Sequence, residues 1–137
     1  MADNVRTAVV EWLGGMRFRG GAPGGTPIML DADGAEGPGP MVSLLVAVAG
    51  CTGADVVSIL AKMQVALETY RMTVSGVRAE EHPKRYRSIV FQITLGGRGL
   101  DETKARRAID LSIEKYCSVL HSLNPDIAVS YELVLLP

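Results

Sequence analysis

The segment from Pro40 to Lys62 constrains the fold more than any other part of the chain, because it is long and almost free of charge. The fourteen residues from Met41 to Ala54 carry no charge, and Asp55 is the only ionisable group before Lys62 apart from the Cys51 thiol. Proline suits the first position of a helix, where its missing N–H removes an orphaned donor. The pattern predicts a helix that begins near Met41 and is buried on nearly all sides.

A buried apolar helix lies either in a protein core or in a membrane. The membrane alternative is the weaker one, because no basic residue flanks the N-terminal side and an Asp at the centre of a spanning helix costs about 3 kcal/mol. Polar or small residues also interrupt the segment, at Ser43, Gly50, Thr52, Gly53 and Asp55. We therefore expect a core helix and no membrane partner.

Two glycines flank the first cysteine, and each costs a helix about 1 kcal/mol relative to alanine. Gly50 and Gly53 stand on either side of Cys51, with only Thr52 between. They indicate a close approach, either of a second helix or symmetry mate, or of a small reagent that must reach the thiol. Both explanations can hold together.

A length of 137 residues predicts one domain covering residues 1–137, in which a wholly buried helix is difficult to cover. A homodimer would cover it better. The net charge of −1 and the short, scattered basic pairs argue against a nucleic-acid partner. The glycine clusters lack the spacing of phosphate-binding loops, and we predict no cofactor.

The N-terminal residues Met1 to Arg6 show no basic stretch followed by an apolar one, so we expect a cytoplasmic protein. Its two cysteines, Cys51 and Cys117, would then lie in a reducing compartment. Two cysteines 66 positions apart in such a compartment are more often free thiols, a redox pair or metal ligands than a structural disulfide.

Hydrophobic periodicity predicts three short strands, a long helix, two strands, a second helix and a last strand. The fold class is thus α+β with a largely antiparallel sheet. The second helix is expected to start after an Asp101 cap, to end near Ser122, and to bury a stripe that includes Tyr116 and Cys117. The other predicted segments are strands at Arg6 to Trp12, Met16 to Arg19, Pro27 to Asp31, Arg71 to Ala79, Tyr86 to Leu95 and Ile127 to Leu136, with Ala66 to Tyr70 ending the first helix.

The block P-M-V-S-L-L-V-A-V-A-G-C-T-G-A-D-V-V-S-I-L and the later E-K-Y-C-S-V, on two helices and in this order, resemble the OsmC/Ohr superfamily of osmotically inducible and organic-hydroperoxide-resistance proteins. The resemblance spans nearly the whole chain. The G-C-T-x-x-D form is most similar to the YhfA-like branch. The resemblance implies an intertwined homodimer, in which antiparallel sheets surround two long central helices.

The resemblance also implies a function, the reduction of organic hydroperoxides in oxidative-stress defence. Cys51 matches the cysteine that attacks the peroxide, and Cys117 matches the one that resolves the sulfenic acid as a disulfide. A small dithiol or a dithiol protein would be the reductant. In the family an arginine from the N-terminal strands lowers the pKa of the attacking thiol, and Arg17 or Arg19 is the candidate here, with Arg17 slightly preferred.

One part of the family pattern is absent from this chain. The active peroxidases carry a glutamate just after the proline that opens the central helix, where it orients the arginine, but Met41-Val42-Ser43 stands there. Glu36 or Asp33 on the preceding loop is the candidate replacement. Without one, the scaffold would instead serve as a non-catalytic redox sensor or an apolar-ligand-binding dimer.

The cysteines and a nearby histidine also have simpler explanations. A free cysteine is most often a small buried hydrophobe. Cys117 and His121 are four apart on a helix and with Cys51 would give zinc two thiolates and an imidazole, but no fourth ligand is evident, so we predict no metal site. His121 is more simply explained by its place in the last turn of a helix.

Overall fold

The computed structural model describes residues 4–137, and it has the predicted α+β order of elements. Met1 to Asp3, part of the N-terminal segment that suggested a cytoplasmic location, lie outside the described residues. The elements are β1 (Val9–Gly14), β2 (Arg17–Gly21), β3 (Ile28–Asp31), α1 (Pro40–Lys62), β4 (Ala66–Arg78), β5 (Tyr86–Arg98), α2 (Glu102–Leu111), a π-helical segment (Ser112–Tyr116), α3 (Ser118–His121) and β6 (Ala128–Leu135).

The chain divides into two compact units, one up to Leu44 and one from Leu45 onward. The first unit is an antiparallel sheet in the order β1-β2-β3. Its first hairpin turns at Gly15 and Met16, and the φ angles of 102° at Gly14 and 57° at Gly15 suit glycine. Large apolar side chains of this unit are exposed, at Val9, Val10, Trp12, Phe18 and Ile28. That the whole chain forms one domain stays a prediction.

The second unit holds a sheet in the order β4-β5-β6. Strands β4 and β5 pair antiparallel, from Ala66 opposite Arg98 to Arg78 opposite Tyr86. Strands β5 and β6 pair in parallel, and the helical region from α2 to α3 supplies the crossover that a parallel pair needs. The prediction of largely antiparallel pairing is therefore correct, with this one parallel pair as the exception.

The prediction that residues 66–70 finish the first helix is wrong. Helix α1 ends at Lys62, Gln64 adopts a positive φ of 64°, and β4 begins at Ala66. Leu67 pairs with Gly97 and Tyr70 with Leu95. The sheet hydrogen bonds of this long hairpin outweigh a weak local helix preference.

The core of the second unit comes from one face of β5 and from the helices. The predicted core face of β5 is confirmed, because Ile89, Phe91, Ile93 and Leu95 are all fully buried. The helices contribute equally buried side chains, namely Val48, Val56 and Leu60 of α1 and Ala105, Ala108 and Ile109 of α2.

Helix α1 is buried along one face only within the single chain, so the predicted burial on nearly all sides is not reached there. Gly53 is buried, and a Cβ placed on it would lie 3.3 Å from the Tyr70 hydroxyl, which explains the small residue. A Cβ on Gly50 would meet nothing within 4 Å. Val42, Val46 and Val57 are 45 to 62% exposed. By length and composition α1 would also be able to cross a membrane, a property that it shares with core helices of soluble proteins.

The second helix starts as predicted but does not continue to Ser122. The Asp101 carboxylate accepts the backbone N–H of Lys104 at 2.8 Å, which confirms the cap. After α2, the π-helical segment ends where the Cys117 N–H donates to the Ser112 carbonyl at 2.8 Å, and Cys117 itself is extended. The wider turn shifts the helical register. Tyr116, predicted to be buried, is therefore 48% exposed, whereas Cys117 is fully buried as predicted.

Candidate thiol site

The structure brings the two cysteines together and adds a carboxylate. The Sγ atoms of Cys51 and Cys117 and a carboxylate oxygen of Asp55 all lie within 4.8 Å of one another. Cys51 and Asp55 are one turn apart on the same face of α1. Cys117 reaches them from the break between the π-helical segment and α3.

Cys117 is enclosed, whereas Cys51 is only half-buried. The Thr52 hydroxyl donates to Cys117 Sγ at 3.3 Å, and the Val48 carbonyl oxygen lies 4.0 Å from the same sulfur. Burial raises the pKa of the Cys117 thiol, and the Thr52 hydrogen bond offsets part of that rise. Cys117 is therefore a protonated thiol near neutral pH, and Cys51 is the more accessible of the two sulfurs.

The Asp55 carboxylate is fixed by the second helical region. The Ser112 hydroxyl donates to Asp55 Oδ2 at 2.8 Å, and Ser112 is fully buried. The sequence analysis missed Asp55 as a member of the site. Its i, i+4 spacing from Cys51 was the signal that could have revealed it.

The π-helical segment explains how both contacts form at once. Ser112 begins the segment and bonds to Asp55, while Cys117 follows its end and packs on α1. A π turn inserts one extra residue into a helix, and such turns often occur at functional sites. Nothing in the sequence S-I-E-K-Y-C distinguishes it from an ordinary helical turn.

His121 does not join the two thiols. Its Nε2 atom lies 2.9 Å from the Ile113 carbonyl oxygen, a contact within its own helical region. Within residues 4–137, the one group of potential metal ligands that lie this close together is Cys51, Asp55 and Cys117. The structure therefore does not group His121 with the two cysteines, as the zinc site considered from the sequence would require.

The two candidate arginines lie on β2 in the first unit, and they differ in how firmly they are held. Arg17 Nη1 donates to Glu36 Oε2 at 2.9 Å and its Nη2 donates to the Leu13 carbonyl at 2.8 Å. Arg19 makes a longer contact, 3.4 Å, to Glu11. Glu36 thus makes the contact with Arg17 that is expected of a replacement for the missing glutamate. The role of either arginine toward Cys51 stays a prediction.

The loop that carries Glu36 is organised by a buried carboxylate. Asp31 accepts the backbone N–H groups of Asp33 at 2.9 Å and of Glu36 at 3.1 Å, and it is 3% exposed. The hydrogen bond from the Glu36 backbone, with that from Asp33, lowers the pKa of Asp31 below its usual 3.8. The ionised carboxylate therefore positions the residue that holds Arg17.

Comparison with known proteins places the site in a family. A model of the OsmC-like proteins matches residues 32–132, a span that includes both cysteines. The chain belongs to the OsmC-like family. The matched span starts after Arg17 and Arg19, so it does not bear on the arginine prediction.

Individual relatives of this OsmC-like chain match it almost end to end. Protein YhfA of Escherichia coli strain K12 is 37% identical over 130 residues, which cover 93% of this chain and 97% of YhfA. A hypothetical protein of Aquifex aeolicus is 30% identical with a TM-score of 0.82, covering 98% of this chain and 99% of that one. The predicted resemblance to the OsmC/Ohr superfamily and its YhfA-like branch is confirmed.

The fold extends to more distant members. The organic hydroperoxide resistance protein OhrB of Bacillus subtilis superposes with a TM-score of 0.62 at 18% identity, covering 95% of this chain and 98% of that one. At this identity the match shows a shared fold. The two sheets and helices described above are thus those of OsmC-like structures.

Replacing Asp31 by Asn should destabilise the first unit at pH 7, because a neutral amide is a weaker acceptor for two N–H groups. A lowered carboxyl pKa stabilises the fold fully above the unfolded value near 3.8 and loses that effect as the pH falls through the folded pKa. The gap in melting temperature between wild type and Asp31→Asn should therefore be present at pH 7 and narrow below pH 3.8. A gap independent of pH would contradict this origin.

Proposed function

We propose that this protein is a homodimeric, thiol-dependent peroxidase that reduces organic hydroperoxides. One observation carries the proposal: within an OsmC-like fold, a half-buried Cys51 and a fully buried Cys117 have their sulfurs within 4.8 Å. An accessible sulfur can meet the substrate, and an enclosed neighbour can capture the product of that reaction. The names of family members such as OhrB, which refer to organic hydroperoxide resistance, support the substrate class.

The first step is attack of the Cys51 thiolate on the O–O bond. A sulfur–oxygen bond forms, the O–O bond breaks, and the alkoxide that leaves takes up a proton to give the alcohol. Cys51 becomes a sulfenic acid, and the hydroperoxide is reduced by two electrons. Cys51 stands on a rigid helix, which fixes the direction of its approach to the substrate.

The second step joins the two sulfurs. The Cys117 thiol attacks the sulfenic sulfur, a disulfide forms, and the hydroxyl leaves with the thiol proton as water. The sulfurs must close from within 4.8 Å to the disulfide bond length of about 2.05 Å. A dithiol then reduces the disulfide, is itself oxidised to a disulfide, and returns both cysteines to thiols.

The attacking thiolate needs a cation, since a partly buried sulfur otherwise holds its proton. We propose that Arg17 supplies the charge, with Glu36 in place of the glutamate that the family carries after the proline. Support comes from two hydrogen bonds that Arg17 donates, one to the Glu36 carboxylate and one to the Leu13 carbonyl. A guanidinium fixed in this way can also donate a hydrogen bond to the peroxide oxygens.

The homodimer is supported by apolar surface that one chain leaves exposed. Val46, Gly50 and Val57 lie on one face of α1, at spacings of four and seven residues. Val46 and Val57 are exposed, and Gly50 has open space around it, as a close helix crossing requires. The apolar side chains exposed on the β1-β2-β3 sheet are a second surface that a partner subunit would cover. We further propose that the dimer acts in the cytoplasm, where thiols stay reduced.

Replacing Val46 by Lys should convert the dimer to a monomer, because it would bury a charge at the crossing. Sedimentation equilibrium at micromolar concentration would measure the change. Ser58→Lys is the matched control, since Ser58 is exposed on the same helix about 120° from Val46. Unchanged assembly of Val46→Lys would show that the face is not an interface.

Turnover separates an enzyme from a sensor. We would incubate the reduced protein with excess cumene hydroperoxide and either dihydrolipoamide or dithiothreitol, and measure the alcohol formed per protein. The proposal predicts many equivalents of alcohol. Consumption of a single equivalent would identify a redox sensor instead, and no consumption would contradict both and leave the apolar-ligand-binding dimer as the alternative.

A further inference from the structure

The geometry points to a second use of the thiol site: we propose that Cys51, Asp55 and Cys117 bind one Zn²⁺ ion per chain when both cysteines are reduced. The proposal needs only the reduced thiols and the carboxylate, so it does not depend on peroxidase activity.

The spacing of the three ligand atoms suits a tetrahedral ion. Zinc binds thiolate sulfur at about 2.3 Å and carboxylate oxygen at about 2.0 Å, so ligand atoms in a tetrahedral site are roughly 3.3 to 3.8 Å apart. The two sulfurs and the Asp55 oxygen already lie within 4.8 Å of one another. Their separations therefore exceed tetrahedral spacing by at most roughly 1 Å.

The chemistry of the three atoms selects the ion. Two soft thiolates favour zinc over magnesium or calcium, which prefer a shell of oxygens alone. Binding releases the protons of the Cys51 and Cys117 thiols. The two thiolates and the Asp55 carboxylate then neutralise the charge of Zn²⁺ and leave the site with one net negative charge.

The surroundings hold the ligands in the way that zinc sites require. The buried Ser112 hydroxyl donates to Asp55 Oδ2 at 2.8 Å, which leaves the second carboxylate oxygen for the ion. The Thr52 hydroxyl donates to Cys117 Sγ at 3.3 Å, a contact that stabilises a thiolate. Cys51 and Asp55 are half-buried, so the ion can enter from their side and keep a water as its fourth ligand.

The test is direct measurement of metal binding by the reduced full-length protein. We would titrate Zn²⁺ against a chromophoric chelator and, in parallel, substitute Co²⁺ and record its thiolate charge-transfer absorption. The proposal predicts one ion per chain, a charge-transfer band, and protection of Cys51 from iodoacetamide by Zn²⁺. Cys51→Ser and Cys117→Ser should each lose the charge-transfer intensity of one sulfur.

Three further variants separate this site from other thiol chemistry. Asp55→Asn should weaken Zn²⁺ binding by at least about 10-fold and Ser112→Ala by roughly 10-fold, on the scale of zinc ligands and their supporting hydrogen bonds. His121→Ala should bind like wild type, because its ring contacts the Ile113 carbonyl. Absence of one-to-one binding, or an affinity that Asp55→Asn leaves unchanged, would overturn the proposal, whatever the peroxidase assay shows.

Discussion

Cys51→Ser is expected to abolish organic hydroperoxide turnover, lowering kcat/KM by at least about 10³-fold, because the hydroxyl of serine is not ionised near pH 7 and cannot replace the attacking sulfur. Steady-state reduction of cumene hydroperoxide by dihydrolipoamide would measure the loss. The side chains differ by one atom, and circular dichroism would confirm that the variant is folded.

Cys117→Ser is the matched control for this substitution. It removes the resolving thiol and leaves Cys51 in place, so the variant should still release one equivalent of alcohol and accumulate a sulfenic acid on Cys51. If neither variant released the first equivalent of alcohol, Cys51 and Cys117 would not have the separate attacking and resolving roles proposed for them. Full turnover by Cys51→Ser would remove Cys51 from the mechanism.

Arg17→Ala is expected to lower kcat/KM by about 10²-fold, the scale on which one lost donor to a developing charge reduces catalysis. The loss should appear together with slower alkylation of Cys51 by iodoacetamide, since the proposed role of the guanidinium is to stabilise the thiolate. Iodoacetamide kinetics at pH 7, beside steady-state turnover, would measure both quantities.

Arg19→Ala is the control for the arginine, because Arg19 lies on the same strand but contacts Glu11 at 3.4 Å instead of Glu36. It should change kcat/KM by no more than a few-fold. The two carboxylates extend the comparison: Glu36→Gln should lower the rate in the direction of Arg17→Ala, whereas Glu11→Gln should not. If Arg19→Ala and Glu11→Gln were the damaging pair, the assignment would pass to Arg19.

The parts of the fold set by local pattern could be predicted from the sequence. The long uncharged run from Pro40 predicted the start of α1 but not its end at Lys62, and the alternation in β5 identified Ile89, Phe91, Ile93 and Leu95 as core. The Asp101 cap was also correct. In each case the residues that decide the structure are neighbours in sequence, so periodicity reports them directly.

The parts that the sequence did not predict depend on contacts between distant residues. Residues 66–70 form a strand because of their pairing with the end of β5. The break at Cys117 follows from the π-helical segment, whose ends contact α1 through Ser112 and Cys117 itself. Helical periodicity placed Tyr116 on the buried stripe because it assumes a regular helix.

The candidate site likewise has parts that the sequence predicts and parts that depend on contacts between distant residues. Motif resemblance paired Cys51 with Cys117, and the structure brings their sulfurs together. Asp55 entered the sequence analysis only as a polar residue that interrupts the apolar helix. Its position beside both sulfurs, and its contact with Ser112, are seen in the structure. Glu36 was one of two loop carboxylates considered, and the ion pair with Arg17 distinguishes it from Asp33.

The most direct test of the central claim is a thiol count on the reduced, metal-free protein after one equivalent of cumene hydroperoxide, with intact mass of the product. The account predicts loss of both thiols within seconds as a Cys51–Cys117 disulfide in the wild type, and a sulfenic acid on Cys51 in Cys117→Ser. Survival of both thiols for an hour would contradict the peroxidase function and leave an OsmC-like scaffold with a different role.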